Sequence, residues 1–485
     1  MKREFIINII LLILINLLIK PFYLFGIDRT IQNTVGEQDY GLYYALFNFA
    51  FVFQIINDLG LQNYNNRNIA QHRFLLSKYF PHFLWLKLGL GLIYLVSLLV
   101  GAFLFGYQLS VFPILFFIGI NWMLNAMILF MRSNISGLGF YRTDSLLSVL
   151  DRLLLIGLCG YLLWFAPYRA DFQIEWFVYA QTCTLGLTLA IAFSIVAKQL
   201  KHWSMRFSWP LSLLLLKKSY PYALVIFLML LYTRVDAFMI ERLREDGAYQ
   251  AGLYATAYRL LDASNILGLL FATLLLPMFS RMIKLQQEIS SLLQMSFKLI
   301  WAGAYTIAIA CILFRNEIMM ALYESGSPFT ADTLAWLMLS FISICGCYIY
   351  GTLLTANGNL RRMNQVFVLG VILNIGLNLW LIPRSGALGA AIATCFTQAL
   401  VWFSQVYLVN RILHIPFKLS LFLQLAFFSA AALGLNMLLV QQLELNWFVK
   451  FLLCILSSLG LAFLFKLINP ISTLQMLGTT YKAGD

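Results

Sequence analysis

The feature that most constrains this chain is a succession of apolar runs, each about 20 residues long, separated by short polar connections. A run of that length, rising about 1.5 Å per residue as a helix, crosses the ~30 Å hydrocarbon core of a bilayer. The runs lie near 5–27, 40–58, 80–105, 109–131, 145–166 and 173–197, then near 219–240, 250–277, 291–314, 333–355, 364–383 and 386–409, and finally near 419–440 and 446–468. They are continuous rather than alternating, which favours helices over a barrel, because a helix satisfies its backbone groups within one segment. The expectation is an all-α polytopic membrane protein with about 14 transmembrane helices. Composition agrees: 61% of the residues are hydrophobic and 11% charged, whereas roughly a quarter are charged in soluble domains. The first run follows Met1, Lys2 and Arg3. It is longer than a signal-peptide core and no small-residue cleavage site follows, so a retained helix is expected.

The distribution of charge sets an orientation. If the amino terminus is cytoplasmic, 20 of the 33 cations fall in inner segments, 6 in outer segments and 7 in spans. That bias predicts both termini inside. The net charge of +13 therefore reports topology and contact with anionic lipid, not nucleic-acid binding. Between Lys198 and Lys218 lie five cations and no acid, with Trp203, Phe207 and Trp209 interleaved. This stretch reads either as an amphipathic linker along the inner interface or as a basic loop with aromatic anchors.

Enzyme and cofactor signatures are missing from the pattern. The cysteines at 159, 183, 311, 345, 347, 395 and 454 fall inside predicted spans, without disulfide or zinc spacing. His72, His82, His202 and His414 are scattered, and no nucleophile elbow, phosphate loop or metal pattern occurs. The expectation is a chain with no cofactor, no metal and no enzymatic role. A membrane polysaccharide polymerase would need a sizeable outer loop for its catalytic groups, and every predicted outer loop is shorter than about 20 residues.

A repeat runs through the chain. Gly36 is followed by Gly41, Leu42 and Tyr43, and Gly247 by Gly252, Leu253 and Tyr254, an offset of 211 residues. Gly139 with Arg142 matches Gly358 with Arg361 in the corresponding inner loops. Two six-span halves in the same orientation follow, related by a pseudo-two-fold axis along the membrane normal, with two further helices at the carboxyl end. The expected division is an N-terminal six-helix bundle at 1–200, a cytoplasmic amphipathic linker at 201–218, a C-terminal bundle at 219–412, and two more transmembrane helices with a cytoplasmic tail at 413–485.

On these residues, together with Asp58, Gly60, Leu61 and Arg67, the stretch Gly247 to Tyr258, and Gly386, Ala387, Leu388, Gly389, Ala390 and Ala391, the chain resembles the Wzx-type polysaccharide flippases. These belong to the multidrug/oligosaccharidyl-lipid/polysaccharide exporter superfamily. The resemblance covers essentially the whole chain, and no motif in it specifies a substrate. It implies a V-shaped pair of bundles that alternates between inward-open and outward-open states. It also implies a cargo, an undecaprenyl-diphosphate-linked oligosaccharide moved to the outer leaflet of the bacterial plasma membrane for O-antigen, capsule or exopolysaccharide synthesis. A polysaccharide polymerase and glycosyltransferases would be its partners. A drug or organic-cation exporter of the same fold is the competing expectation.

Charges inside the spans are the candidate site. A charge near the bilayer centre costs at least ~2.5 kcal/mol, so it usually faces a cavity or a partner. Arg234 lies roughly 22 Å along its helix from the cytoplasm, Lys20 about as far along the first span, and Arg259 roughly 14 Å below the outer face. All three are candidate cavity ligands for a diphosphate, which guanidinium groups engage bidentately. Arg234 has two other readings, an ion pair with a neighbouring helix and snorkelling outward, and Lys20, next to Pro21, is either aimed inward by a kink or snorkels. Asp236 and Asp262 either neutralise these cations or couple transport to protons or sodium. Arg259 and Asp262, three apart, can meet on one helix, whereas Arg234 and Asp236, two apart, diverge. Asp151 and Arg152 are expected to pair, and Lys87 and Lys298 to snorkel at inner ends.

Overall fold

The computed structural model describes residues 18–61, 75–166, 171–200, 209–415 and 419–468. Most of the first predicted span, Arg67, the linker residues 201–208 with Trp203 and Phe207, and the tail beyond 468 lie outside the described residues. Among the described residues regular structure is entirely helical. The helices are α1 (Arg29–Phe53), α2 (Ile55–Asp58), α3 (Leu75–Leu104), α4 (Phe112–Gly137), α5 (Tyr141–Gly160), α6 (Ile174–Ala197), α7 (Trp209–Leu243) and α8 (Gly247–Lys284). They continue with α9 (Ser290–Leu313), α10 (Arg315–Leu322), α11 (Pro328–Ala356), α12 (Leu360–Leu413), α13 (Leu419–Gln442) and α14 (Trp447–Leu464).

Eleven helices are long and apolar enough to cross a membrane among the described residues, against the expectation of about 14 spans. Part of the difference is one residue. Predicted spans 364–383 and 386–409 form the 54-residue α12, broken only where Gly386 takes φ 55° and ψ −130°. At the amino end, helix runs from Leu18 through a π-helical segment, Tyr23–Asp28, into α1. It reverses only at Gly36, with φ 82° and ψ 169°. Both reversals need a backbone conformation that L side chains rarely adopt, which is why glycine stands there. The loop expected after residue 27 is thus helical to Val35.

The chain packs as two compact units, Met1–Thr256 with Ile375–Ala390, and Ala257–Asn374 with Ala391–Asp485. Lipid tails are as apolar as a protein core, so helix association in a bilayer rests on close packing and polar contacts rather than on hydrophobic burial. The first unit shows both. Phe80 stacks on Phe130 at 5.6 Å, among buried Phe83, Leu86, Met131, Ile135 and Val196. The repeated glycines also meet in this unit. A Cβ on Gly41 would lie 1.9 Å from the Ala248 carbonyl oxygen, and one on Gly252 would lie 2.1 Å from the Glu37 carbonyl oxygen. Ala248 is Glu37 shifted by the repeat offset of 211, and Gly252 is Gly41 so shifted. The contact therefore maps onto itself, as a two-fold axis requires. Gln32 adds a hydrogen bond from Nε2 to the Gly252 carbonyl oxygen at 3.0 Å.

In the second unit α9 and α11 pack through Phe297 and Tyr350, 5.3 Å apart. Gly346 leaves room for the Trp402 indole, whose nitrogen would sit 2.3 Å from a Cβ there. Ser429 on α13 accepts from Trp301 Nε1 at 3.2 Å and, through its carbonyl oxygen, from Tyr305 at 2.7 Å. Asn436 bridges α13 to Ser457 and Ser458 of α14, both bonds 2.8 Å. Helix α11 begins at a capping box of Ser327 and Thr330 with Pro328 at its first position, which satisfies amides left open at a helix start. Large apolar side chains such as Leu92, Val96 and Phe103 on α3 are exposed, the surface a bilayer requires.

Candidate functional site

The four charges of the two central spans separate by helical geometry. A step of two residues turns about 200° on a helix, so Arg234 and Asp236 cannot share a face. Asp236, 1% exposed, accepts from the Tyr254 hydroxyl at 3.0 Å and from Asn378 Nδ2 at 2.7 Å. These donors come from α8 and from the first half of α12, so the carboxylate joins three helices of the first unit. Arg234 turns towards α1, its guanidinium carbon 5.5 Å from the Phe51 ring centroid, within cation–π range.

Arg259 and Asp262 belong to the second unit. Arg259, 9% exposed, reaches Asp262 with Nη1 to Oδ2 at 3.8 Å. The spacing of three brings them together, as expected, so local charge pairing is observed for Asp262. For Asp236 the observed partners include two neutral donors.

Lys20 sits elsewhere. The charged groups that act on it are Arg152, Arg132 and Asp151. Asp151 and Arg152 pair at 3.6 Å, and the Arg152 guanidinium carbon also lies 4.6 Å over the Tyr23 ring. Arg132 is held by Asp144 at 2.8 Å. Arg132 and Arg152 are the residues that the sequence puts at the inner ends of their spans. The helical run to Val35 puts Lys20 roughly 24 Å along the helix from the reversal at Gly36.

Two further charges were not read correctly from sequence. Asp28, 1% exposed, accepts from the Tyr40 hydroxyl at 2.8 Å. It was missed because the first span was ended at residue 27, although it lies 208 residues before Asp236, close to the repeat offset. Each half thus buries an aspartate under a tyrosine hydroxyl. Lys87 does not snorkel: it is 2% exposed, donates to the Asn57 carbonyl oxygen at 3.2 Å and pairs with Asp58. Helix α2 ends there, with Leu59 left-handed at φ 43°. Its open carbonyl groups and terminal dipole attract a cation.

A polar group also stands between α7 and α8. Arg244 pairs with Asp246 at 2.6 Å and reaches the Pro383 carbonyl oxygen at 3.2 Å, and Gln250 donates to Asp246 at 2.9 Å. The Arg244 hydrogen bond, then that from Gln250, holds the Asp246 carboxyl below the usual carboxylate range.

A fold of membrane-crossing helices with cations held inside it does not by itself name a family, and a family comparison supplies one. The model of the polysaccharide biosynthesis protein family matches residues 5–283. The chain belongs to that family. Among curated relatives, the lipid III flippase of Escherichia coli (strain K12) is 29% identical over 134 residues, 28% of this chain and 32% of the relative. The Shigella flexneri lipid III flippase gives the same figures. The match thus spans about a third of these relatives' length. Among solved structures, the lipid II flippase MurJ in an inward closed conformation shares the fold at a TM-score of 0.69 and 15% identity, covering 92% of this chain and 97% of that one. An inward-facing multidrug resistance transporter of the MATE family, in the MOP superfamily, gives 0.61 and 13%, covering 81% and 94%. This member of the polysaccharide biosynthesis protein family is an integral membrane protein with a MurJ- and MATE-like helical fold, as the sequence resemblance implied.

Proposed function

We propose that this chain flips an undecaprenyl-diphosphate-linked oligosaccharide from the inner to the outer leaflet of the bacterial plasma membrane, by alternating access, for surface polysaccharide synthesis. The observation that carries the reading is a group of three cations, Lys20 with Arg132 and Arg152 from α4 and α5, in which Arg132 and Arg152 each hold one carboxylate. Cations crowded in an apolar setting are stabilised by an anion, and a diphosphate supplies two charges with several acceptors. Arg234 and Arg259 extend the set of cations to the central spans, and alternating access would bring the head group to each in turn. Family membership and the curated flippases support a lipid-linked cargo. We also propose both termini on the cytoplasmic side, the two bundles at 1–200 and 219–412 joined by the 201–218 linker, and a polymerase and glycosyltransferases as partners.

The test replaces Arg234 and Arg259 singly with alanine and measures surface polysaccharide together with lipid-linked intermediate retained in the inner leaflet. Export falls and the intermediate accumulates on this reading; normal export by both variants at normal protein levels sinks it. One observation favours a second reading, an ion-coupled exporter of organic cations. Asp28 and Asp236 are buried carboxylates under tyrosine hydroxyls, a pairing suited to a cation. Loss of cationic-dye efflux in Asp236→Asn, with polysaccharide export intact, would select it.

A further inference from the structure

Arg234 has an apolar neighbour that the head-group reading does not use. Between α7 and the α1–α2 junction lies a groove of about 370 Å³, lined by Val52, Ile55 and Ile56 on one side and by Ala223, Leu224 and Phe227 on the other. Its origin is local. Helix α1 ends at Phe53, Gln54 closes a tighter turn onto the Phe51 carbonyl oxygen at 3.1 Å, and the four-residue α2 starts afresh. Opposite this break α7 carries the small Ala223. The groove offers water no polar partners, so an apolar occupant is favoured.

Charge and shape combine along one stripe. Ala223, Phe227 and Arg234 recur at steps of four and seven, which keeps them on one face of α7. Arg234 therefore stands about 10 Å along the helix from Phe227, two turns away, with its guanidinium over Phe51, the residue before the groove's first wall residue. An amphiphile with an anionic head and an apolar chain fits this order, head at Arg234 and chain in the groove.

We propose that this groove holds the polyprenyl chain of the lipid-linked cargo. The proposal rests on the function proposed above and adds the place and the polarity of the lipid's chain. Because α7 enters from the cytoplasmic side on that topology, the groove lies on the inner side of Arg234. A lipid seated there has its head outward and its chain trailing inward, the orientation it has after inversion. The site belongs to the late half of the cycle, after the head has left the surroundings of Lys20.

The test uses the full-length protein in vesicles of phosphatidylethanolamine and phosphatidylglycerol, with a polyprenyl diphosphate carrying a photophore on its chain. Labelled peptides should include 52–56 and 223–227, unlabelled polyprenyl diphosphate should compete, and Ala223→Trp or Ile56→Trp should each cut labelling about tenfold, equivalent to about 1.4 kcal/mol. Displacement of a fluorescent diphosphate should stay near the parent value in both variants, which also shows that they are folded. Equal labelling by phosphatidylglycerol carrying the same photophore, or failure of competition, overturns the proposal and makes the groove a seat for bulk lipid. Saturable diphosphate binding with labelling elsewhere overturns the groove alone and leaves the flippase reading standing. Absence of saturable binding overturns both.

Discussion

For Arg259 and Asp262, a part in folding and the proposed contact with cargo can be separated by experiment. Removing one partner of a buried pair strands the other charge and costs about 3 kcal/mol or more. Arg259→Ala should therefore lower the thermal midpoint in detergent, and the double variant with Asp262→Ala should recover most of it. Export should stay low in both if Arg259 touches the cargo; recovery of export with stability would make the pair structural. Lys87→Met separates two accounts of that lysine. A snorkelling residue tolerates the change, whereas the pair of buried Lys87 with the partly exposed Asp58 predicts a loss of about 2 kcal/mol, read by denaturation. Asp246 carries a pH signature. Its carboxyl is depressed in the fold, so its contribution is present above the unfolded value near 3.9 and is lost as pH falls below it. Because the pair is largely exposed, Asp246→Asn should cost well under 1 kcal/mol at pH 7 and progressively less as pH falls below about 3.9. The meeting of Arg259 and Asp262 was legible because it lies within one helix. Asp28 and Lys87 were not, because one depended on where a helix stops and the other on a partner in a different helix.

At the scale of elements, glycine reversals replace loops. A Cβ at Gly386 would lie 2.3 Å from Gln250 Oε1, the atom that accepts from the Ala387 amide at 3.2 Å. Gly386→Ala combines left-handed strain with loss of that bond and should destabilise by about 2 kcal/mol, measurable as a lowered thermal midpoint. Gly41→Leu and Gly252→Leu push apart the same crossing, so each should impair folding and export, and the double variant should be less damaging than the sum. Hydropathy made the spans legible because period and length alone report them. It could not show Gly36 or Gly386 as single-residue turns, since polar residues continue helically on either side, as in Arg29 to Val35. The repeat was legible as matched spacing, while the contact between its two copies was not, because sequence offset carries no distance.

At the scale of the whole molecule, the eleven candidate spans among the described residues contain Arg132, Arg152, Arg234 and Arg259, charges on which the proposed function rests. Movement of a charged head group across a bilayer needs a driving force, and an ion gradient or the membrane potential supplies about 2.3 kcal/mol per charge at 100 mV. Flipping in liposomes should slow when both are collapsed; an unchanged rate would remove the coupling. The fold class was legible in the chain, and membership of the polysaccharide biosynthesis protein family agrees with it. The identity of the sugar was not, because no described pocket residue pattern is peculiar to one. The reciprocal crossing of Gly41 and Gly252 has a consequence for descent. Two copies of an ancestral half can drift apart wherever their neighbours differ, but at a self-mapping contact each copy is the other's environment. Selection on one glycine is selection on both, so these two positions should remain paired long after the rest of the halves has lost recognisable likeness.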